Sequence, residues 1–273
     1  MKKLLLLTMI LFSYNIFTTP AEAANVGNVA TTKPAPKSNN LDVTKLYAVG
    51  GNLNYYITNS DHKAFELSVL SGKDQIGGYL TKKGTSFEGF EIGKVYTGEP
   101  KVTKNGKLIY ILVDKLNGNK IDSIYWEKTD EVSAKKFEAM KKDTSARKYT
   151  SLEFLLVELT NATRVNNGIT PLKYDHKVAK VAKNHSTDMS KNNYFDHYSP
   201  KGLSPFDRIQ NAGLKFIAAG ENLGVNFPTI FEAHNALLNS QAHRENIYEK
   251  AFKQAGVGIT GNHYTMKFIT YPK

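Results

Sequence analysis

Hydrophobic and polar positions change rhythm twice along this chain. Between residues 41 and 130 the apolar residues fall in short runs, Asn54–Thr58, Phe65–Leu70, Gly77–Thr81 and Phe87–Ile92, each bounded by Gly, Asn, Ser or Lys clusters, which is the pattern of strands. Leu108–Val113 and Ile121–Trp126 flank Asn117-Gly118-Asn119, a turn whose residues supply the positive φ angles a tight hairpin needs. The single tryptophan, Trp126, falls in this hairpin and is expected in the core. Residues 131–149 are densely charged around Val132, Phe137 and Met140 and predict a helical connector.

From residue 150 the period becomes helical. Leu152, Leu155, Leu156, Leu159, Ala162 and Val165 share one face behind a Thr150/Glu153 capping box, and Asn166-Asn167-Gly168 ends the run. Asp175 is placed to cap a second helix in which Val178, Val181, Ala182, His185 and Met189 face inward. Ser204-Pro205 opens a short helix that Gly213 stops, and Thr229/Glu232 opens another through Leu238. Gly256–Thr260 and His263–Thr270 alternate about Gly261-Asn262, a closing hairpin. The expected class is α+β, with a small antiparallel part ahead of a segment that runs helices first and strands last.

The N-terminal residues read as an export signal over 1–23: Lys2 and Lys3, the apolar run Leu4–Phe17, then Ala21-Glu22-Ala23. That run has 14 residues, short of the roughly 20 a spanning helix needs. Residues 24–40, rich in Ala, Thr, Pro, Lys and Asn, read as a linker. The chain carries net +11, and +10 once two lysines and one glutamate of the signal are removed. Such a charge favours anionic partners, although it also serves solubility. Its lysines are scattered rather than clustered among aromatics, so no nucleic-acid partner is expected. With no cysteine, disulfides and thiol catalysis are excluded.

Three polar signatures interrupt apolar surroundings: Tyr194-Phe195-Asp196-His197, Gly220-Glu221-Asn222-Leu223 and His243-Arg244-Glu245-Asn246-Ile247. Each brings an ionisable group toward the interior, which costs free energy unless a partner waits there. His197, Glu221 and His243 are therefore expected to converge on one cavity. Two imidazoles and a carboxylate suit zinc or another divalent ion with an open position. They equally suit a hydrogen-bonded network in which Glu221 orients the imidazoles. His185 and Asp188, three residues apart on a helix, form a second pair within reach. His62, His176, His234 and His263 are expected to be solvated or structural, and Arg244 and Asn246 to tie the segment after His243 to neighbouring backbone.

Residues 150–273 resemble the CAP superfamily (cysteine-rich secretory proteins, antigen 5, pathogenesis-related proteins) in its cysteine-free bacterial form. The resemblance is carried by Leu159-Thr160-Asn161, Arg164, Asn167-Gly168, Pro171-Leu172, His185-Ser186, Asp188-Met189, Phe195-Asp196-His197 and Ser199-Pro200. It continues through Gly220-Glu221-Asn222, Asn239-Ser240, His243-Arg244, Asn246-Ile247 and Gly256-Val257-Gly258. It implies an α-β-α sandwich around an antiparallel sheet, with a cleft lined by two histidines and two glutamates. His197, Glu221 and His243 match. At the position of the second glutamate Ser240 stands nearest, and Leu237 replaces a usual tryptophan, which weakens a four-ligand site or a two-carboxylate mechanism. Residues 41–130 resemble the CAP-associated domain of secreted Gram-positive proteins through Phe90-Glu91-Ile92-Gly93-Lys94 and Gly98-Glu99-Pro100.

The leading expectation is a secreted, envelope-associated binding module whose cleft or basic surface takes an anionic wall polymer, a lipid or a peptide. The alternatives are an extracellular hydrolase in which Glu221 or a histidine activates water, with or without a metal, and a structural or signalling partner with an inactive cleft. No serine or cysteine nucleophile accompanies the histidines, and the pattern leaves oligomeric state open.

Overall fold

The computed structural model describes residues 45–48, 53–57, 65–71, 74–135, 150–227 and 229–273. The expected export signal over 1–23 and linker over 24–40, His62 and residues 136–149 of the expected connector lie outside these. The first sheet is seven-stranded and antiparallel, with strands β1 (Lys45–Ala48), β2 (Leu53–Ile57), β3 (Glu66–Ser71), β4 (Asp74–Leu80), β7 (Lys101–Lys104), β8 (Lys107–Asp114) and β9 (Lys120–Lys128) in the order β1-β2-β3-β4-β9-β8-β7. The expected strand over Phe87–Ile92 is instead a two-residue pair, β5 (Ser86–Phe87) with β6 (Phe90–Glu91), because Glu88 and Gly89 turn with φ of 50° and 92°. Between β8 and β9 a 3-10 turn over Lys115–Asn117 hands over to Gly118 and Asn119, and these two carry the positive φ angles, 70° and 55°. Trp126 is buried and stacks on Phe87.

The second sheet is four-stranded, in the order β10 (Lys173–Tyr174), β12 (Gln254–Thr260), β13 (His263–Thr270), β11 (Ala218–Val225). Its β11/β13 and β12/β13 pairs are antiparallel, while β10 runs parallel to β12. Strand β11 was not expected, since Ala-Ala-Gly-Glu-Asn-Leu-Gly-Val has neither alternation nor β-branched residues until its end. With β10 it places strands among the helices, so the order is not helices first.

Five helices surround this sheet: α1 (Thr150–Asn166), α2 (His176–Asn192), α3 (Pro205–Asn211), α4 (Ile230–Leu238) and α5 (Gln241–Tyr248). Asp175 caps α2 by accepting from Lys177 N and Val178 N, and Ser204 and Asp207 form a complete capping box on α3. The Glu153 carboxylate is buried and accepts from Ile259 N at 2.8 Å, on the edge of β12 that β10 leaves uncovered.

Alternation along β12 and β13 sends side chains to two different layers. Val257, Ile259, Met266 and Phe268 join Leu155, Leu156 and Leu159 of α1 and Phe231 and Leu237 of α4. On the other face Gly256 and Gly258 let α2 approach the strand itself: a Cβ on Gly258 would lie 2.1 Å from Lys183 N. The apolar layer around α1 and α4 continues into the first sheet, where Phe231 stacks between Tyr79 and Tyr125 with ring centroids 4.5 and 4.9 Å away. The layers are therefore α2 and α3, the four-stranded sheet, α1 and α4, and the seven-stranded sheet.

Candidate functional site

Glu221 sits on β11 directly opposite Lys267 on β13, and Lys267 in turn faces Gly256 on β12. Cross-strand partners share a face, so both side chains point toward α2 and α3. There Glu221 Oε2 receives Lys267 Nζ at 2.5 Å, Arg208 Nη2 of α3 bridges Oε1 and Oε2 at 3.0 and 3.1 Å, and His197 Nδ1 meets Oε1 at 2.9 Å. Burial by itself would raise the Glu221 carboxyl, but Lys267, the His197 bond and Arg208 outweigh it and hold the group well below the usual carboxylate range. The ionised carboxylate accepts only, so His197 Nδ1 donates to it and Nε2 is the ring nitrogen that Glu221 does not engage.

His197, Glu221 and His243 all line one small cleft with Tyr198, Pro205, Phe206, Gly220, Ala242, Glu245 and Asn246. Its volume is about 40 Å³, room for a few waters or one compact polar group. Helix α5 supplies His243, Glu245 and Asn246 and lies along the outer edge of β11. Asn222 Nδ2 donates to His243 O at 2.9 Å, and Asn246 Nδ2 donates to Glu221 O at 3.3 Å and Asn222 Oδ1 at 2.8 Å. Burial, helped by the nearby His197, pulls the His243 imidazole down to about 4, and its Nδ1 is buried with no hydrogen-bond partner among the described residues.

Lys267 and Arg208 were not singled out by the sequence. Lys267 sits inside an apolar alternation that reads as core, and Arg208 comes from a different helix, so only the register of β11 against β13 reveals the cluster. Ser240 is the N-cap residue of α5 and is not among the residues lining the cleft. The His185/Asp188 pair does not form. His185 Nε2 lies 3.0 Å from Asp196 O, whereas Asp188 accepts from Tyr194 Oη and Asn192 Nδ2. His234 is buried beside Thr163 Oγ1 at 2.8 Å and is structural. Asn246 and Arg244 both tie α5 to neighbouring backbone, as expected of them, through Glu221 O and Leu238 O, and Arg244 also reaches the carboxylate of Asp114 on β8.

The donors do not fit a three-ligand metal centre as they stand. Both Glu221 oxygens are taken by basic or imidazole donors, and the Lys267 and Arg208 charges that neutralise it also repel a divalent ion. Among the described residues no group of three His, Cys, Asp or Glu side chains is arranged to hold one.

The sequence profile of the cysteine-rich secretory protein family, CAP, matches residues 157–271. YlbC of Bacillus subtilis, an uncharacterized membrane protein by name, is 30% identical over 249 residues, which span 84% of this chain and 69% of YlbC. The chain belongs to the CAP family. YkwD, an uncharacterized protein of Bacillus subtilis, is 41% identical over 122 residues, 44% of this chain, and the match spans only about half of YkwD, 48%. Among solved structures, an extracellular SCP-domain protein of Bacillus anthracis superposes with a TM-score of 0.72 at 19% identity, covering 96% of this chain and 99% of that one. A cysteine-rich secretory protein of Staphylococcus aureus gives 0.67 at 13% identity, covering 83% and 86%. The family match lies within the segment that holds the four-stranded sheet, and the two structural likenesses show a shared overall fold.

Proposed function

We propose that this CAP protein is an exported, envelope-associated binding module whose cleft takes the polar end of an extracellular ligand: an anionic wall polymer, or a lipid or peptide of matching charge. The observation that carries the reading is the saturation of Glu221. Its side chain is 1% exposed and engaged at both oxygens, so it orients His197 and is poorly placed to activate water or to ligate a metal. The cleft then offers His197 Nε2, the His243 imidazole and Asn246 at its floor, with Tyr198 and Phe206 as apolar walls. The export signal over 1–23 and the net charge of +11 support an anionic surface outside the cell. No metal is needed, and no nucleic acid is proposed.

The test is binding of purified wall polymer fragments to the chain at low and high salt. Saturable binding that weakens with salt and falls on His197→Ala and Tyr198→Ala supports the module. Absence of binding, or binding indifferent to both substitutions, overturns it and leaves an inactive cleft on an interaction scaffold.

One observation favours a second reading. An imidazole held by a buried carboxylate and presenting Nε2 to a cleft is the arrangement of a general base, which would make the protein a hydrolase of wall polymer or peptide. Its test is hydrolysis of those polymers by wild type and His197→Ala, and activity that survives the substitution removes the reading.

A further inference from the structure

Helix α5 carries His243, Glu245 and Asn246 into the cleft, yet it has only eight residues and its N-cap Ser240 makes no side-chain capping bond. So short a helix gains little from its own backbone bonds and depends on what holds it. One face is held by Asn222 and Asn246 against β11. The opposite face meets the seven-stranded sheet. Strand β7 pairs with β8 only as far as Tyr110, and Ile111 N is taken by Pro100 O, so beyond that point the β8 edge is open. The α4–α5 junction fills it. Asn239 accepts from Lys115 N at 2.7 Å and donates to Val113 O at 2.8 Å, the two bonds an added strand would have made, while Asn235 Nδ2 reaches the same carbonyl at 3.3 Å. Next to it Arg244 grips Asp114 with a two-point fork, Nη1 to Oδ1 at 2.7 Å and Nη2 to Oδ2 at 2.9 Å, and packs over the Tyr248 ring. The β8–β9 register shifts at Leu112/Val113, pairing Val113 with Ile121 and skipping Asp122, at the point where the strand turns toward these contacts.

We infer that the seven-stranded sheet sets the shape of the cleft, with Asp114 as a positioning residue that acts on His243 through Arg244. Adjacent residues on α5 thus serve opposite partners, His243 the cleft and Arg244 the sheet. Any movement of β8 against the four-stranded sheet is transmitted to the cleft, and a ligand that tightens the cleft tightens this junction in return. The inference takes the cleft as the binding site, but its test uses no ligand and stands apart from that reading.

The experiment compares backbone hydrogen exchange and the His243 ring resonances of the full chain in wild type, Asp114→Asn, Arg244→Lys and Asn166→Ala. The last removes a different contact to the first sheet, Asn166 Nδ2 to Thr81 O at 2.8 Å, which no α5 residue makes. Asp114→Asn is expected to speed exchange in residues 241–248 by about ten-fold over that in α1 and α2, and to shift the His243 resonances. Arg244→Lys keeps the charge, loses the fork and falls between, and Asn166→Ala lowers the melting temperature without moving α5. Uniform acceleration of all helices, or α5 exchange and His243 resonances unchanged in Asp114→Asn, overturns the inference. If Asp114→Asn does not fold, Arg244→Lys decides, and unchanged α5 exchange in that variant is equally fatal.

Discussion

Glu221 and Lys267 face each other across β11 and β13, with Oε2 and Nζ 2.5 Å apart and side chains 1% and 0% exposed. Removing one member of such a buried pair strands the other, typically at about 3–5 kcal/mol. Lys267→Met is expected to cost somewhat less, about 2–4 kcal/mol, because Arg208 and His197 still hold the carboxylate. Glu221→Gln leaves the buried Lys267 with neutral acceptors, Pro205 O and the new amide oxygen, and no counter-charge, and should cost at least as much. The double variant should be more stable than the sum of the two losses predicts. Urea denaturation of all four proteins measures the coupling, and strict additivity would contradict a direct pair.

The His197 tautomer follows from the same cluster. With Glu221 ionised, the neutral ring carries its proton on Nδ1, and nitrogen chemical shifts of that form should report this tautomer. In Glu221→Gln the amide no longer demands a donor, and a mixture of tautomers is expected. An unchanged spectrum would show that Glu221 does not orient the ring.

Stability should fall as the solution is acidified through the histidine range. Burial pulls His234 from 6.5 down to about 4, so the unfolded chain binds the proton first. The stabilisation is fully present above about 6.5 and is lost as pH falls toward about 4, at up to about 1.4 kcal/mol per pH unit. Melting curves of wild type and His234→Gln across this window should differ in slope, and parallel curves would exclude His234 as a source.

Gly258 has no space for a side chain, since a Cβ would meet Lys183 N at 2.1 Å and its Cα at 2.2 Å. Gly258→Ala must push α2 off the sheet and is expected to cost about 3 kcal/mol or more. Gly202→Ala meets no atom within 4 Å but has a φ of 78°, and should cost only about 1 kcal/mol of backbone strain. Thermal denaturation separates the two, and equal losses would argue against close helix–strand packing as the cause.

Leu156 is fully buried between the two sheets. Leu156→Ala should lower stability by about 2–5 kcal/mol. A single cooperative transition, seen alike by probes of both sheets, is expected because one apolar cluster joins them. Two separate transitions would show that the sheets unfold independently.

Periodicity and punctuation were enough to find α1 to α4, the closing hairpin and the β8–β9 hairpin, because these rest on contacts close in the chain: capping at Asp175 and Ser204, and positive φ at Gly118, Asn119 and Gly261. His197, Glu221 and His243 were legible as polar residues in apolar company. What escaped was β11, whose Ala-Ala-Gly-Glu sequence has no strand rhythm and which is held as a strand by its ladder to β13. Lys267 and Arg208 escaped with it.

The amino-acid sequence alone therefore determined the local elements, the family and the identity of three cleft residues, since helix and turn formation and motif spacing are properties of neighbours along the chain. Tertiary structure decided that Glu221 is tied down by Lys267 and Arg208, that Asp188 turns away from His185, and that Asp114 grips the residue after His243. Those outcomes depend on strand register and layer packing between segments as much as 130 residues apart, where a one-residue shift in pairing would send each side chain to the opposite face.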